Sequence, residues 1–96
     1  PMLGRVWINL GIAQAEQGKS QEAVATLKHA CDIAPKEVFA WISLYRAARS
    51  AGLEDEARFA IEKAAKVNST ATALFKRSEQ RAAEEAQSGA KPAAAQ

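Results

Sequence analysis

The residues able to do chemistry are few: one histidine, one cysteine, and some short charged or glycine-bearing runs. His29 stands between Lys28 and Ala30, and Cys31 follows two residues later. Without a second histidine or a second cysteine, these two fall short of a zinc-type ligand set. Gly18-Lys19-Ser20 has the ending of a phosphate-binding loop, but the upstream glycine and the preceding strand are missing. Glu54-Asp55-Glu56 offers carboxylates to a cation, yet acids at the start of a helix are accounted for by the positive end of its dipole. Arg46, Arg49, Lys76, Arg77 and Arg81 are basic, but aromatic stacking residues are not expected to interleave with them on the exposed faces. No nucleophile–base pair or general acid–base pair emerges. The chain reads as a protein that is not an enzyme, with no metal and no cofactor.

Composition narrows the remaining classes. At 96 residues the chain is one small domain, near the lower limit for burying an adequate core. Hydrophobic residues make up 48%, but alanine dominates them, and alanine contributes helix propensity and close helix approach more than buried area. The 13 basic and 11 acidic residues are well mixed and leave a net charge of +2, a solvated surface with no polybasic nucleic-acid patch. No apolar run reaches the ~18 residues of a membrane span, and no charged-then-apolar leader opens the chain. We therefore expect no nucleic-acid partner, no membrane insertion and a cytoplasmic location. Pro1-Met2 reads as the start of a fragment. A single cysteine permits no internal disulfide, and Cys31, four residues after Leu27 on a helical pattern, reads as a small buried filler.

The elements that would carry these residues repeat. WINLGIAQAEQGKSQEA, beginning at Trp7, returns as WISLYRAARSAGLEDEA, beginning at Trp41, an offset of 34 residues. The same offset relates Ile8 to Ile42, Leu10 to Leu44, Ala13 to Ala47, Gly18 to Gly52, Ala23 to Ala57 and Ala30 to Ala64. Helical spacing predicts a first helix from about Gly4 to Gln17, with Val6, Trp7, Leu10, Ile12 and Ala13 on its apolar positions. Gly18 is expected to end it and Ser20 to cap the next, which carries Ala23, Val24, Leu27, Ala30 and Cys31 and stops at Pro35. The second copy repeats this plan from Glu37, with Gly52 between its helices. A fifth helix, about 70–87, is capped by Ser69 or Thr70 and covers the preceding pair with Leu74, Phe75, Ser78 and Ala82. SGAKPAAAQ, residues 88–96, reads as a disordered tail.

Trp7, Leu10, Gly11, Gly18, Ala23, Leu27, Ala30 and Pro35, in that order, resemble the tetratricopeptide repeat, a helix–turn–helix unit. The second copy follows through Trp41, Leu44, Gly52, Ala57, Ile61 and Ala64. It departs where Tyr45 replaces the glycine and Ser69 the closing proline, and the first copy has Gln14 at a usual aromatic position. The resemblance implies an all-α solenoid of antiparallel helix pairs over residues 1–87, with repeats at about 4–37 and 38–71 and a capping helix at about 70–87. Two units and a cap bury a marginal core, so the chain is expected to be part of a longer array or to self-associate.

The family presents the first helix of each pair on a concave surface that binds extended or helical peptides. Here the resemblance places Arg5, Ile8, Asn9, Ile12, Phe39, Ile42, Ser43, Arg46, Arg49 and Lys76 on that face. Ile8, Ile12, Phe39 and Ile42 are apolar where a solvated face would be polar. The expected function is an adaptor or chaperone-like interaction module that takes a peptide of a partner protein, with acidic groups at Arg46 and Arg49. The alternative is a homo-oligomerisation module.

Overall fold

The computed structural model describes residues 2–88. They form five α-helices: α1 (Met2–Glu16), α2 (Ser20–Ile33), α3 (Val38–Ser50), α4 (Glu54–Val67) and α5 (Ser69–Ser88). No strand occurs among the described residues. The closest packing is within the pairs α1–α2 and α3–α4; α2 then packs on α3, α3 reaches back to α1, and α5 lies on α4. This is the stacked-hairpin solenoid expected from the period. The expected tail over 88–96 lies outside the described residues except for Ser88, which ends α5.

The two glycines make the turns. Gly18 (φ 83°) and Gly52 (φ 78°) adopt the left-handed backbone that a side chain disfavours. Each closes its helix by the same pair of bonds. Gly18 N–H donates to Ala15 at 3.0 Å and Lys19 N–H to Gln14 at 2.9 Å; one period later Gly52 donates to Arg49 at 3.1 Å and Leu53 to Ala48 at 2.8 Å.

The helix starts depart from expectation. Ser20 is not a cap: it is the first residue of α2, and the N-cap position falls on Lys19, whose side chain makes no capping bond. The glycine closure commits Lys19 N–H to Gln14 and so advances the boundary by one residue. At α5 the cap is Asn68, not Ser69 or Thr70: its Oδ1 accepts from Ala71 N–H at 2.9 Å. Asn68 has the extended backbone a capping residue needs, φ −155° and ψ 95°.

The core joins Ala23, Val24, Leu27, Ala30 and Cys31 of α2 to Ala40, Leu44, Ala47 and Ala48 of α3 and Ala57, Ala60 and Ala64 of α4. Small residues let the helices approach closely. A methyl group added at Gly11 would meet Leu27 Cγ at 2.4 Å, so glycine there is a packing requirement. Trp41 is buried and its indole N–H donates to the Pro35 carbonyl at 2.8 Å, tying α3 to the turn before it. Trp7 is half-buried and meets His29 edge-on at 4.4 Å.

Three expectations about helix faces fail. Val6, Leu10 and Ala13, expected inside, are exposed, because nothing packs on the side of α1 that faces away from α2 and α3. Ile8 and Ile42, expected on the open face, are core residues, because an opening helix in a stack is buried on two sides. In α5 the face turned inward carries Thr72 and Phe75, whereas Leu74, Ser78 and Ala82 face solvent.

Candidate functional site

One face of α1 and one face of α3 run side by side. On α1 the positions Arg5, Ile8, Asn9, Ile12 and Glu16 follow helical spacing along a single stripe, and on α3 Phe39, Ser43, Arg46 and Ser50 do the same. Two hollows mark the join, and a third continues them towards α5. The first, about 330 Å³, is lined by Arg5, Ile8, Asn9, Glu37 and Phe39. The second, about 210 Å³, is formed by Ile12, Ala15, Glu16 and Leu27 with Ser43, Arg46, Ala47 and Ser50. The third, about 380 Å³, lies between α3 and α5, where Arg46, Arg49 and Ser50 meet Glu79. Arg46 and Ser50 belong to both of the last two.

Eight of the ten residues expected at a binding face therefore line these hollows: Arg5, Ile8, Asn9, Ile12, Phe39, Ser43, Arg46 and Arg49. Ile42 and Lys76 do not. Ile42 is buried in the core; Lys76 is exposed on α5. Ile8 reaches its hollow only at the edge, since it too is buried, and Ser43 is buried with its side chain at the groove floor. The apolar surface open to a ligand comes instead from Phe39, which is 60% exposed, and from Ile12.

The electrostatics are mixed where a basic edge was expected. Glu16, Glu37 and Glu79 alternate with Arg5, Arg46 and Arg49 along the groove. Of these acids only Glu16 follows the helical spacing of the face; Glu79 comes from the fifth helix and Glu37 from the turn before α3. The two expected carboxylate-binding arginines are unequal. Arg49 donates to Tyr45 Oη at 2.9 Å and lies 3.6 Å from Glu79 Oε1, and Tyr45 in turn donates to Glu79 at 3.2 Å. Its bond to Tyr45, followed by the Glu79 charge, raises the Arg49 pKa above its ordinary value. Arg46 makes no ion pair among the described residues and stands exposed where the two hollows meet.

Three further polar groups tie helices together or lie in the core. Thr26 donates to Gln14 Oε1 at 2.6 Å and pins α2 to α1, which gives Gln14 a role in place of an aromatic ring. Lys28 Nζ lies 3.0 Å from Glu56 Oε2, a charge contact between half-exposed side chains of α2 and α4. Burial, helped by Asp32, pushes the Cys31 thiol up to about 12 and keeps it protonated at neutral pH. Among the described residues no group of three or more His, Cys, Asp or Glu could hold a metal ion, and no helix is long and apolar enough to cross a membrane.

Comparison with known proteins agrees with this architecture. A search among curated proteins returns no match to the chain. Residues 4–37, the α1–α2 hairpin with its turns, match the sequence model of the tetratricopeptide repeat. That hairpin is similar to a tetratricopeptide repeat, the all-helical stack built on it is consistent with further such repeats, and the similarity suggests a protein–protein interaction module.

Proposed function

We propose that the groove between α1 and α3 binds an extended or helical segment of a partner protein, in the manner of an adaptor. The observation that carries this reading is Arg46: an exposed guanidinium without an ion pair among the described residues, shared by two hollows and adjacent to Ile12 and Ser43. An apolar side chain of the segment packs on Phe39 and Ile12, and an acidic side chain or a terminal carboxylate meets Arg46. Arg49, already held by Tyr45 and Glu79, shapes the wall more than it binds. The half-exposed setting limits what one such contact contributes. A shielded charge-assisted bond contributes about 1.5–3 kcal/mol, an exposed one about 1 kcal/mol or less.

An array of immobilised peptides mixing acidic and apolar residues, probed with the labelled chain, tests this directly. Arg46→Glu is expected to weaken the acidic peptides that wild type retains by about three- to tenfold. Phe39→Ser should weaken acidic and neutral peptides alike, and Arg49→Gln should have the smaller effect. If every peptide retained by wild type is retained equally by Arg46→Glu and Phe39→Ser, the groove is not the binding surface.

A further inference from the structure

Away from the groove, a cleft of about 430 Å³ opens between α2 and α4 with α3 as its floor. It shares no lining residue with the three hollows described above. Its apolar part is Cys31, Leu44, Trp41 and Phe59. The two rings meet edge to face, with centroids 6.1 Å apart and planes at 72°, and Phe59 is left 54% exposed. Phe59 stands one period after Ala25, so the packing of a hairpin does not call for an aromatic ring there. This ring pair already draws a cation from the chain itself. Lys63 Nζ lies 5.6 Å from the centroid of Phe59 and 5.9 Å from that of Trp41, although Lys63 does not line the cleft.

The rim of the cleft is acidic. Asp32 comes from α2 and Asp55 and Glu56 from α4, three carboxylates against the one ammonium of Lys28, a local −2 in a chain whose net charge is +2. Lys28 is engaged by Glu56 at 3.0 Å. Asp32 and Asp55, on opposite walls, are exposed and make no ion pair among the described residues. The helix dipole accounts for Asp55 and Glu56 in the first turn of α4, but it opposes Asp32, which lies in the last turn of α2 at the negative end. Nor does the repeat dictate these charges: one period on, Asp32 becomes Lys66 and Lys28 becomes Glu62. A carboxylate kept against its own helix and outside the repeat is accounted for by what it meets in the cleft.

We infer that the α2–α4 cleft receives an arginine side chain of a partner protein, its guanidinium at the Asp32 and Asp55 carboxylates and its methylene stem on Trp41 and Phe59. Arginine fits better than lysine, because a planar guanidinium stacks on an aromatic ring and offers donors to two carboxylates at once. The same acids repel phosphate-bearing partners. The chain thus has two binding faces of opposite preference, one for an acid at Arg46 and one for a base at Asp32.

Titrating acetylated and amidated Leu-Arg-Leu into the isotope-labelled chain, followed by NMR, tests the assignment, and the same peptide with citrulline for arginine keeps the shape without the charge. The arginine peptide is expected to shift the Trp41 indole signal and the amides of Asp32, Asp55 and Phe59, and to bind about tenfold more tightly than its citrulline twin. Asp32→Asn and Phe59→Ala, both at exposed positions, should each weaken the arginine peptide by about three- to tenfold and leave the midpoint of thermal unfolding nearly unchanged. Lys28→Gln should strengthen it by about threefold, since the change frees Glu56 and removes a like charge, and damage to the fold produces no such gain. Equal binding of the citrulline peptide, shifts confined to Ile12, Ser43 and Arg46, or no shift of the cleft signals at about 10 mM peptide overturns the assignment. If tetramethylammonium, which has no N–H donors, displaces the peptide at equal concentration, the cleft takes small organic cations and the choice of arginine is wrong. Arg46→Glu should change none of these results, so the cleft and the peptide groove fail or stand separately.

Discussion

Gly11→Ala adds one methyl group, and the structure says where it goes. Its Cβ would lie 2.4 Å from Leu27 Cγ, 2.6 Å from Cδ2 and 3.1 Å from Cδ1. Leu27 is only 1% exposed and sits among α1, α2 and α3, so it moves only by changing rotamer towards the hollow it lines or by displacing its neighbours. Either it leaves its rotamer or α1 lifts off α2. Overpacking of this kind destabilises by about 1–3 kcal/mol, and contacts this short belong to the upper part of that range. Alanine offsets about 1 kcal/mol through helix propensity. The expected net loss is about 1–2 kcal/mol, a fall in unfolding midpoint of about 5–15 °C for a domain this small. Urea unfolding followed by Trp7 and Trp41 fluorescence together with helical circular dichroism measures it. The sharper readout is a double-mutant cycle. Leu27→Ala alone should lose about 2–5 kcal/mol through the cavity it leaves. In the double variant the new methyl enters that cavity, so the combined loss should fall short of the sum by about 1–2 kcal/mol. Gly18→Ala is the control. Nothing lies within 4 Å of its added Cβ, but its φ of +83° strains any side chain, so its loss of about 1 kcal/mol should be additive with Leu27→Ala. Additivity of Gly11→Ala with Leu27→Ala within about 0.5 kcal/mol, or an unchanged stability of Gly11→Ala, would refute the claim that glycine there serves close approach.

Two further outcomes follow from single groups. The buried thiol of Cys31 keeps its proton up to about 12 against an ordinary 9.0, so its contribution is fully present below pH 9 and is lost as pH rises from there towards 12. Wild type should therefore lose about 1.4 kcal/mol relative to Cys31→Ala between pH 8 and pH 10 in paired urea titrations, and equal slopes would show the thiol to be accessible. Asn68→Ala removes the acceptor for Ala71 N–H and should lower helical content and stability by about 1 kcal/mol, recovered in large part by Asn68→Ser. If Ser69→Ala is instead the damaging change, the cap has been misplaced.

Much of this structure was legible in the sequence because a fixed period reports packing that neither propensity nor charge reveals. Gly18 and Gly52 announced their turns, since both must carry a backbone conformation that side chains resist. The five helices fell close to their expected bounds for the same reason. What escaped was whatever depends on a neighbour. Periodicity placed Val6 and Leu10 on an apolar face correctly, but it does not say whether another helix covers that face. Ile8 and Ile42 were misplaced because a one-sided amphipathic template does not fit a helix packed on two sides. Eight of the ten residues expected at a binding face line the hollows, since their spacing is local, but the Glu79 carboxylate that engages Arg49 arrives from α5, whose placement no local spacing reports.

The departure at Tyr45 also explains how the fifth helix is held. Tyr45 stands one period after Gly11, where a methyl group is already too large in the first hairpin. In the second hairpin the ring does not squeeze between α3 and α4. It turns to α5, meets Phe75 edge-on at 5.8 Å and donates to Glu79 at 3.2 Å, and Arg49 joins the same carboxylate. Phe75 itself stands one period after Trp41 and Glu79 one period after Tyr45. The fifth helix is therefore held in the place of a third opening helix by contacts that an unbroken repeat would not make, and it closes the α4 side. The α1 side has no corresponding device: its apolar stripe carries neither a charge nor a covering helix among the described residues.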